Sequence, residues 1–195
     1  MSIRTNSQVG AIILAGGRAV RMGGEKPLRQ LRGSTLLQHA LDTVAPLATE
    51  IVVATGTREL PLPPGVRAAP DQFKDAGPLG GIHAGLLALR SPRALLLPCD
   101  LPGIPTTLLA VLLKSLARAA VAYCELEAPE PLVCALRVRP ALRAVTSAAN
   151  TGTYKVVPVW QSLRHAVLHA PELAKLGDVA RMFRNLNTLQ DLNEA

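Results

Sequence analysis

The sequence predicts a layered α/β domain, and three observations carry that prediction. Short apolar runs alternate with helix-like stretches along most of the chain. The first run, Val9–Leu14, passes directly into glycines, as a buried strand that opens a ligand loop does. A later run over residues 94–98 ends on Cys99-Asp100, so a buried strand delivers a carboxylate at its C-terminal end.

Residues 1–8 are largely polar and read as a tail, leaving 9–195 as one domain. The run at Val9 is far short of the ~20 apolar residues that span a bilayer. With Arg4 ahead of it and small residues behind, it shares some traits of a signal-peptide core, but the glycine loop after it favours a first strand. Ser34 is placed to cap a helix from 35 to about 47, with Leu37, Ala40, Leu41 and Val44 on one face. Ile51, Val52 and Val53 make 50–55 a buried second strand. Prolines at 61, 63 and 64 mark a loop before a short strand at 66–69. A glycine loop over 77–81 leads into a helix at 82–89, and Pro105 opens another to about 117. Strands are expected at 121–124 and 132–137, then helical stretches near 140–148 and 155–163. Pro158 opposes the last of these, since a proline inside a helix costs ~3 kcal/mol or more. Late strands are expected at 167–169 and around Leu186.

Nearly half of the 195 residues are hydrophobic, enough for one substantial core. Cys99, Cys124 and Cys134 are odd in number and lack CxxC spacing, which fits incidental thiols in a reducing cytoplasm better than a disulfide framework or a zinc site. The net charge of +7 raises the question of nucleic acid, yet the cations are scattered and five aromatics supply no stacking platform. Small anionic ligands account for the one cluster in the glycine loop. The leucine-rich stretch 107–116 reads as packing, with no membrane role. His165 and His169 lack an H-E-x-x-H context, and His39 and His83 read as structural.

Three motifs carry chemistry. Gly16 and Gly17 follow the first strand, where missing Cβ atoms and positive φ would let backbone N–H groups converge on phosphate oxygens. Arg18, Arg21 and Lys26 add cations, Arg as a two-pronged donor and Lys as a mobile point charge. Neither G-x-x-x-x-G-K-[ST] nor G-x-G-x-x-G is present, so the usual kinase and dehydrogenase readings fall. Next, Asp71 precedes Gly77-Pro-Leu-Gly-Gly-Ile and offers a carboxylate to a base or ribose. Last, Asp100 lies where open α/β sheets bind ligands, and one carboxylate with substrate phosphates is a usual Mg²⁺ set. Cys99 beside it reads as a packing residue.

The segment Leu14-Ala-Gly-Gly-x3-Arg21-Met-Gly-x2-Lys26 resembles the signature of the molybdenum cofactor guanylyltransferases. The Asp71 block, Pro98-Cys-Asp100 and the ending Asn185-Leu-Asn187-Thr-Leu-Gln-Asp-Leu are similar to further parts of that family's pattern. The resemblance implies a three-layer Rossmann-like nucleotidyltransferase domain with a mostly parallel central sheet. It implies transfer of GMP from GTP to molybdopterin-bound molybdenum, with Mg²⁺ as cofactor and transient contact with cofactor-donating or molybdoenzyme partners. Leu14, Ala15, Gly16, Gly17, Lys26, Asp71 and Asp100 would bind the nucleotide, and Lys26, Arg21 and Asp100 would serve the chemistry. Lys155, Asn185 and Asn187 would face the acceptor. Ala19, Ala54, Glu130 and Leu189 depart from the pattern. A cytidylyltransferase for the same cofactor, a sugar- or alditol-phosphate nucleotidyltransferase and a catalytically inactive nucleotide-binding adaptor remain alternatives.

Overall fold

A computed structural model describes residues 8–16, 26–73, 75–186 and 191. Seven strands form one sheet: β1 (Val9–Leu14), β4 (Glu50–Gly56), β5 (Val66–Pro70), β6 (Arg93–Pro98), β7 (Val121–Glu125), β8 (Pro129–Arg137) and β9 (His165–His169). A small antiparallel hairpin, β2 (Gln30–Leu31) and β3 (Ser34–Thr35), stands apart. The sheet order is β5-β4-β1-β6-β8-β7-β9. All contacts among β5, β4, β1 and β6 are parallel, while β8 runs antiparallel between β6 and β7, and β9 is parallel to β7. The expected mostly parallel sheet is present.

The central strands are apolar on both faces because both faces are covered. In β1, Ala11 and Ile13 join a core with α1 (Leu36–Val44) and α3 (Thr106–Ser115). Ile12 points the other way, into a core with α2 (Pro78–Ala88), α4 (Val138–Asn150) and α5 (Val156–Gln161). That alternation makes three layers. Two short helices, α6 (Ala170–Leu173) and α7 (Val179–Met182), complete the fold.

Several expectations need correction. Thr35, not Ser34, caps α1, its hydroxyl accepting from the Gln38 amide at 3.0 Å. The helix ends at Val44, three residues before the expected end. The helix expected from 82 begins at Pro78, so only Gly77 (φ 56°) makes the turn, and Gly80 and Gly81 lie inside the helix. Pro158 is accommodated because it falls in the first turn of α5, where N–H groups have no helical partner to lose. Leu186 is buried but lies outside any strand, its amide donating to the Asp100 carbonyl at 3.0 Å. Among the described residues no helix is long and apolar enough to cross a membrane.

Candidate active site

The sheet order places a crevice where ligands collect. From β1 the chain goes outward to β4 and β5, then crosses to β6 on the other side of β1, so the C-terminal ends of β1 and β6 border a topological switch point. Leu14 to Gly16 leave one strand there, and Cys99-Asp100 leave the other. The Cys99 amide donates to the Leu14 carbonyl at 3.1 Å, and the Ala15 amide donates to the Ala54 carbonyl at 3.0 Å. The root of the loop is thereby held between β4 and β6.

Gly16 is required for a reason other than the one expected. It is not among the positive-φ residues; a Cβ on it would sit 3.0 Å from the Gly56 nitrogen. Close backbone approach excludes a side chain there. Gly17, Arg18 and Arg21 lie outside the described residues, as does Asn187.

Lys26 opens a short 3₁₀ turn, Lys26–Leu28, at the far end of the loop. Its Nζ lies 2.6 Å from Asp100 Oδ2, joining two positions 74 residues apart. Both side chains are largely buried, at 15% and 23% exposure, so this is no freely solvated surface pair. The hard carboxylate oxygens of Asp100 could hold Mg²⁺, which takes one or two carboxylates with substrate phosphates and water. Among the described residues no group of three or more His, Cys, Asp or Glu forms an all-protein cage. Cys99 is buried, and burial pushes its thiol up to about 12, the Asp100 charge adding to the effect. It is no nucleophile at neutral pH.

Asp71 forms the other wall. Its amide donates to the Gly56 carbonyl at 3.0 Å, fixing it just beyond β5. A Cβ on Gly81 would lie 3.2 Å from Leu14 Cδ2, 3.3 Å from the Ala54 Cβ and 3.7 Å from Asp71 Oδ1. One glycine of α2 therefore marks where Leu14, Ala54 and Asp71 converge. Asp71 Oδ1 is buried with no hydrogen-bond partner among the described residues, and burial raises the carboxyl above its usual range. A buried acceptor without a donor is costly unless a ligand supplies one.

The two described acceptor candidates do not share a cavity. Lys155 lines one of about 370 Å³ with Pro78, Pro131, Leu132 and Tyr154, beside the start of α2. Asn185 is exposed next to Leu186, on the side of the Asp100 backbone. The sequence reading missed Arg58, two residues beyond the end of β4, whose charge reaches Cys99 together with that of Lys26. A cation just past a strand on the ligand side of the sheet was the available signal. His165 and His169 lie on β9, four residues and ~13 Å apart along an extended strand, which separates them too far for one metal.

The sequence pattern of the MobA-like NTP transferase domain matches residues 11–173. The chain belongs to that family. It is a nucleotidyltransferase. It is 32% identical to a molybdenum cofactor guanylyltransferase of Burkholderia vietnamiensis, covering 98% of this chain and 97% of the relative. It is 33% identical to one of Shewanella halifaxensis, covering 97% and 96%. Among solved structures, molybdopterin-guanine dinucleotide biosynthesis protein A from Archaeoglobus fulgidus superposes with a TM-score of 0.77 at 22% identity, covering 95% of each chain. The 2-C-methyl-D-erythritol 4-phosphate cytidylyltransferase of Thermus thermophilus superposes at 0.71 with 19% identity, covering 94% of this chain and 95% of that one. These two likenesses speak to the fold.

Proposed function

We propose that this enzyme transfers GMP from GTP to molybdopterin-bound molybdenum, releasing pyrophosphate and forming the guanine dinucleotide cofactor. The observation that carries the reading is the Lys26–Asp100 pair at the switch point, which sets a phosphate-binding cation against a metal-binding carboxylate. The guanylyl assignment is supported by the names of the relatives. It is also supported by Asp71 Oδ1, because the Watson–Crick edge of guanine presents two adjacent N–H donors to a carboxylate.

An acceptor phosphate oxygen attacks the α-phosphorus of GTP, the new P–O bond forms, and the bond to the β-phosphate breaks with its electron pair leaving on pyrophosphate. The acceptor phosphate is anionic at neutral pH, so the protein needs no general base. Lys26 neutralises charge on the triphosphate, with Arg21 assigned the same task. Asp71 holds the base, and Leu14 and Ala15 flank the nucleoside. Asp100 would hold Mg²⁺, which when bound offsets phosphate charge and helps fix an in-line geometry. Lys155, Asn185 and Asn187 are assigned to the acceptor. The three free, buried thiols suit a reducing cytoplasm.

Calorimetry with GTP, CTP and UTP in the presence of Mg²⁺ tests the assignment, repeated with Asp100→Ala. GTP should bind at least about tenfold more tightly than CTP, a gap of about 1.4 kcal/mol. A preference for CTP would overturn the guanylyl reading. Unaltered metal-dependent GTP binding in Asp100→Ala would remove that residue from the metal role. GTP binding without pyrophosphate release in the presence of acceptor would instead identify a nucleotide-binding adaptor.

A further inference from the structure

A second concentration of positive charge lies just past Asp100. Arg32, Arg181 and Arg184, with His39, Pro102 and Gly103, line a cavity of about 330 Å³. That is at the small end of ligand pockets, which run from about 300 to 1,000 Å³. All four basic residues lie outside the glycine loop that grips the nucleotide.

The local backbone is arranged around this cavity. Arg32 has φ 51° and is followed by Gly33 at φ 86°, in the turn joining β2 to β3. Two successive positive φ angles favour Asn or Gly at the first position, and arginine there is strained. His39 Nε2 donates to the Leu31 carbonyl at 2.8 Å, tying the hairpin to α1 and leaving the ring against the cavity. A Cβ on Gly103 would run into the Arg181 carbonyl, so the segment bearing Arg181 lies directly on the turn after Asp100. Further along, the Leu186 amide is bonded to the Asp100 carbonyl at 3.0 Å. The Gly103 Cα is three residues from that of Asp100, at most ~11 Å away.

We propose that this cavity is a second phosphate site, which takes a phosphate dianion while the glycine loop holds the nucleotide. Guanidinium groups bind phosphate oxygens two at a time, and three of them, Arg32 from the β2–β3 turn and Arg181 and Arg184 from the end of α7, line one small space. The dianion comes either from the phosphate ester of the acceptor or from released pyrophosphate. This link to the reaction rests on the transfer proposed above; anion binding at the cavity does not.

The test titrates inorganic pyrophosphate into the full-length protein saturated with a non-hydrolysable GTP analogue and Mg²⁺. The combined Arg181→Gln and Arg184→Gln variant should bind pyrophosphate at least about tenfold more weakly, with affinity for the GTP analogue within twofold of the parent. Arg32→Gly guards against a folding artefact. It removes a strained side chain, so its unfolding midpoint should hold or rise while pyrophosphate binding still weakens. Pyrophosphate binding unchanged in these variants, or absent from the nucleotide-saturated parent, overturns the site; the latter result would leave the cavity to another partner, such as an acidic peptide. In turnover, a raised acceptor KM at constant kcat assigns the site to the acceptor phosphate. Weakened pyrophosphate inhibition at constant acceptor KM assigns it to the product. Failure of the parent to bind GTP would sink the transfer reading alone, and pyrophosphate titrations of free parent and variants would still decide the cavity.

Discussion

At the scale of single residues, Asp71 carries the sharpest conflict between stability and function. Its Oδ1 is buried without a donor, and burial raises the carboxyl above the ordinary aspartate range. A carboxyl whose folded-state pKa is raised favours folding below its unfolded pKa, and that contribution is lost as pH rises through the folded value. At neutral pH the ionised group therefore burdens the empty protein. Asp71→Asn should raise the thermal midpoint of the nucleotide-free enzyme near pH 7. The advantage should shrink on acidification, as the parent carboxyl takes up its proton. With Asp71 on the guanine edge as proposed above, the same variant should bind GTP about 10- to 100-fold more weakly, because one of two charge-assisted bonds would become a donor facing a donor. Paired melting curves and GTP titrations across pH 4.5–7.5 check both halves. A variant less stable than its parent at pH 7 would show that the carboxylate has an internal partner.

At the scale of elements, α2 is held to the sheet by absent side chains. A Cβ on Gly85 would lie 2.5 Å from Ile12 Cγ2, and Ile12 is wholly buried in β1. Alanine there gains about 1 kcal/mol of helix propensity but must displace a branched side chain, and overpacking of this kind costs about 1–3 kcal/mol. Gly85→Ala should therefore lower stability by about 1 kcal/mol in urea unfolding. In double-mutant cycles, Gly85→Ala should cost less in an Ile12→Ala background, where the clashing methyl is gone, than in an Ile12→Val background, where it stays, although Ile12→Ala itself lowers stability by about 2–5 kcal/mol. This packing explains what could be read in the sequence and what could not. β1, β4 and β6 were legible because continuous runs such as Ile12-Ile13-Leu14 have no other stable placement in a domain of this size. The start of α2 was misread because Gly80 and Gly81 look like a loop. Their purpose, close passage over Leu14, Ala54 and Asp71, exists only once the sheet has assembled. The β2–β3 hairpin was missed for a related reason: Arg32 occupies a turn position where Asn or Gly gives the usual signal.

At the scale of the whole molecule, strand order decides which residues meet, and it is the least local property of the chain. Nothing in the run at Pro129–Arg137 says that it inserts antiparallel between β6 and β7. The β1–β6 pairing that brings Lys26 to Asp100 was not legible, since the family resemblance implied only a mostly parallel sheet and no strand order. Net charge, by contrast, is read directly from the sequence. At +7 it attracts a polyanionic substrate from any direction, and among the described residues the charges of Lys26 and Arg58 reach Cys99 at the crevice. If this charge steers GTP, the association rate should fall about tenfold between low salt and ~0.5 M NaCl, where the screening length is only a few ångströms. Uncharged guanosine should associate at a rate nearly independent of salt. Stopped-flow binding of fluorescent analogues of both ligands makes the comparison, with the dissociation rates as an internal control because steering acts on encounter. Equal salt dependence for the two ligands would show that the basic surface serves solubility, and that the crevice captures its nucleotide through short-range contacts alone.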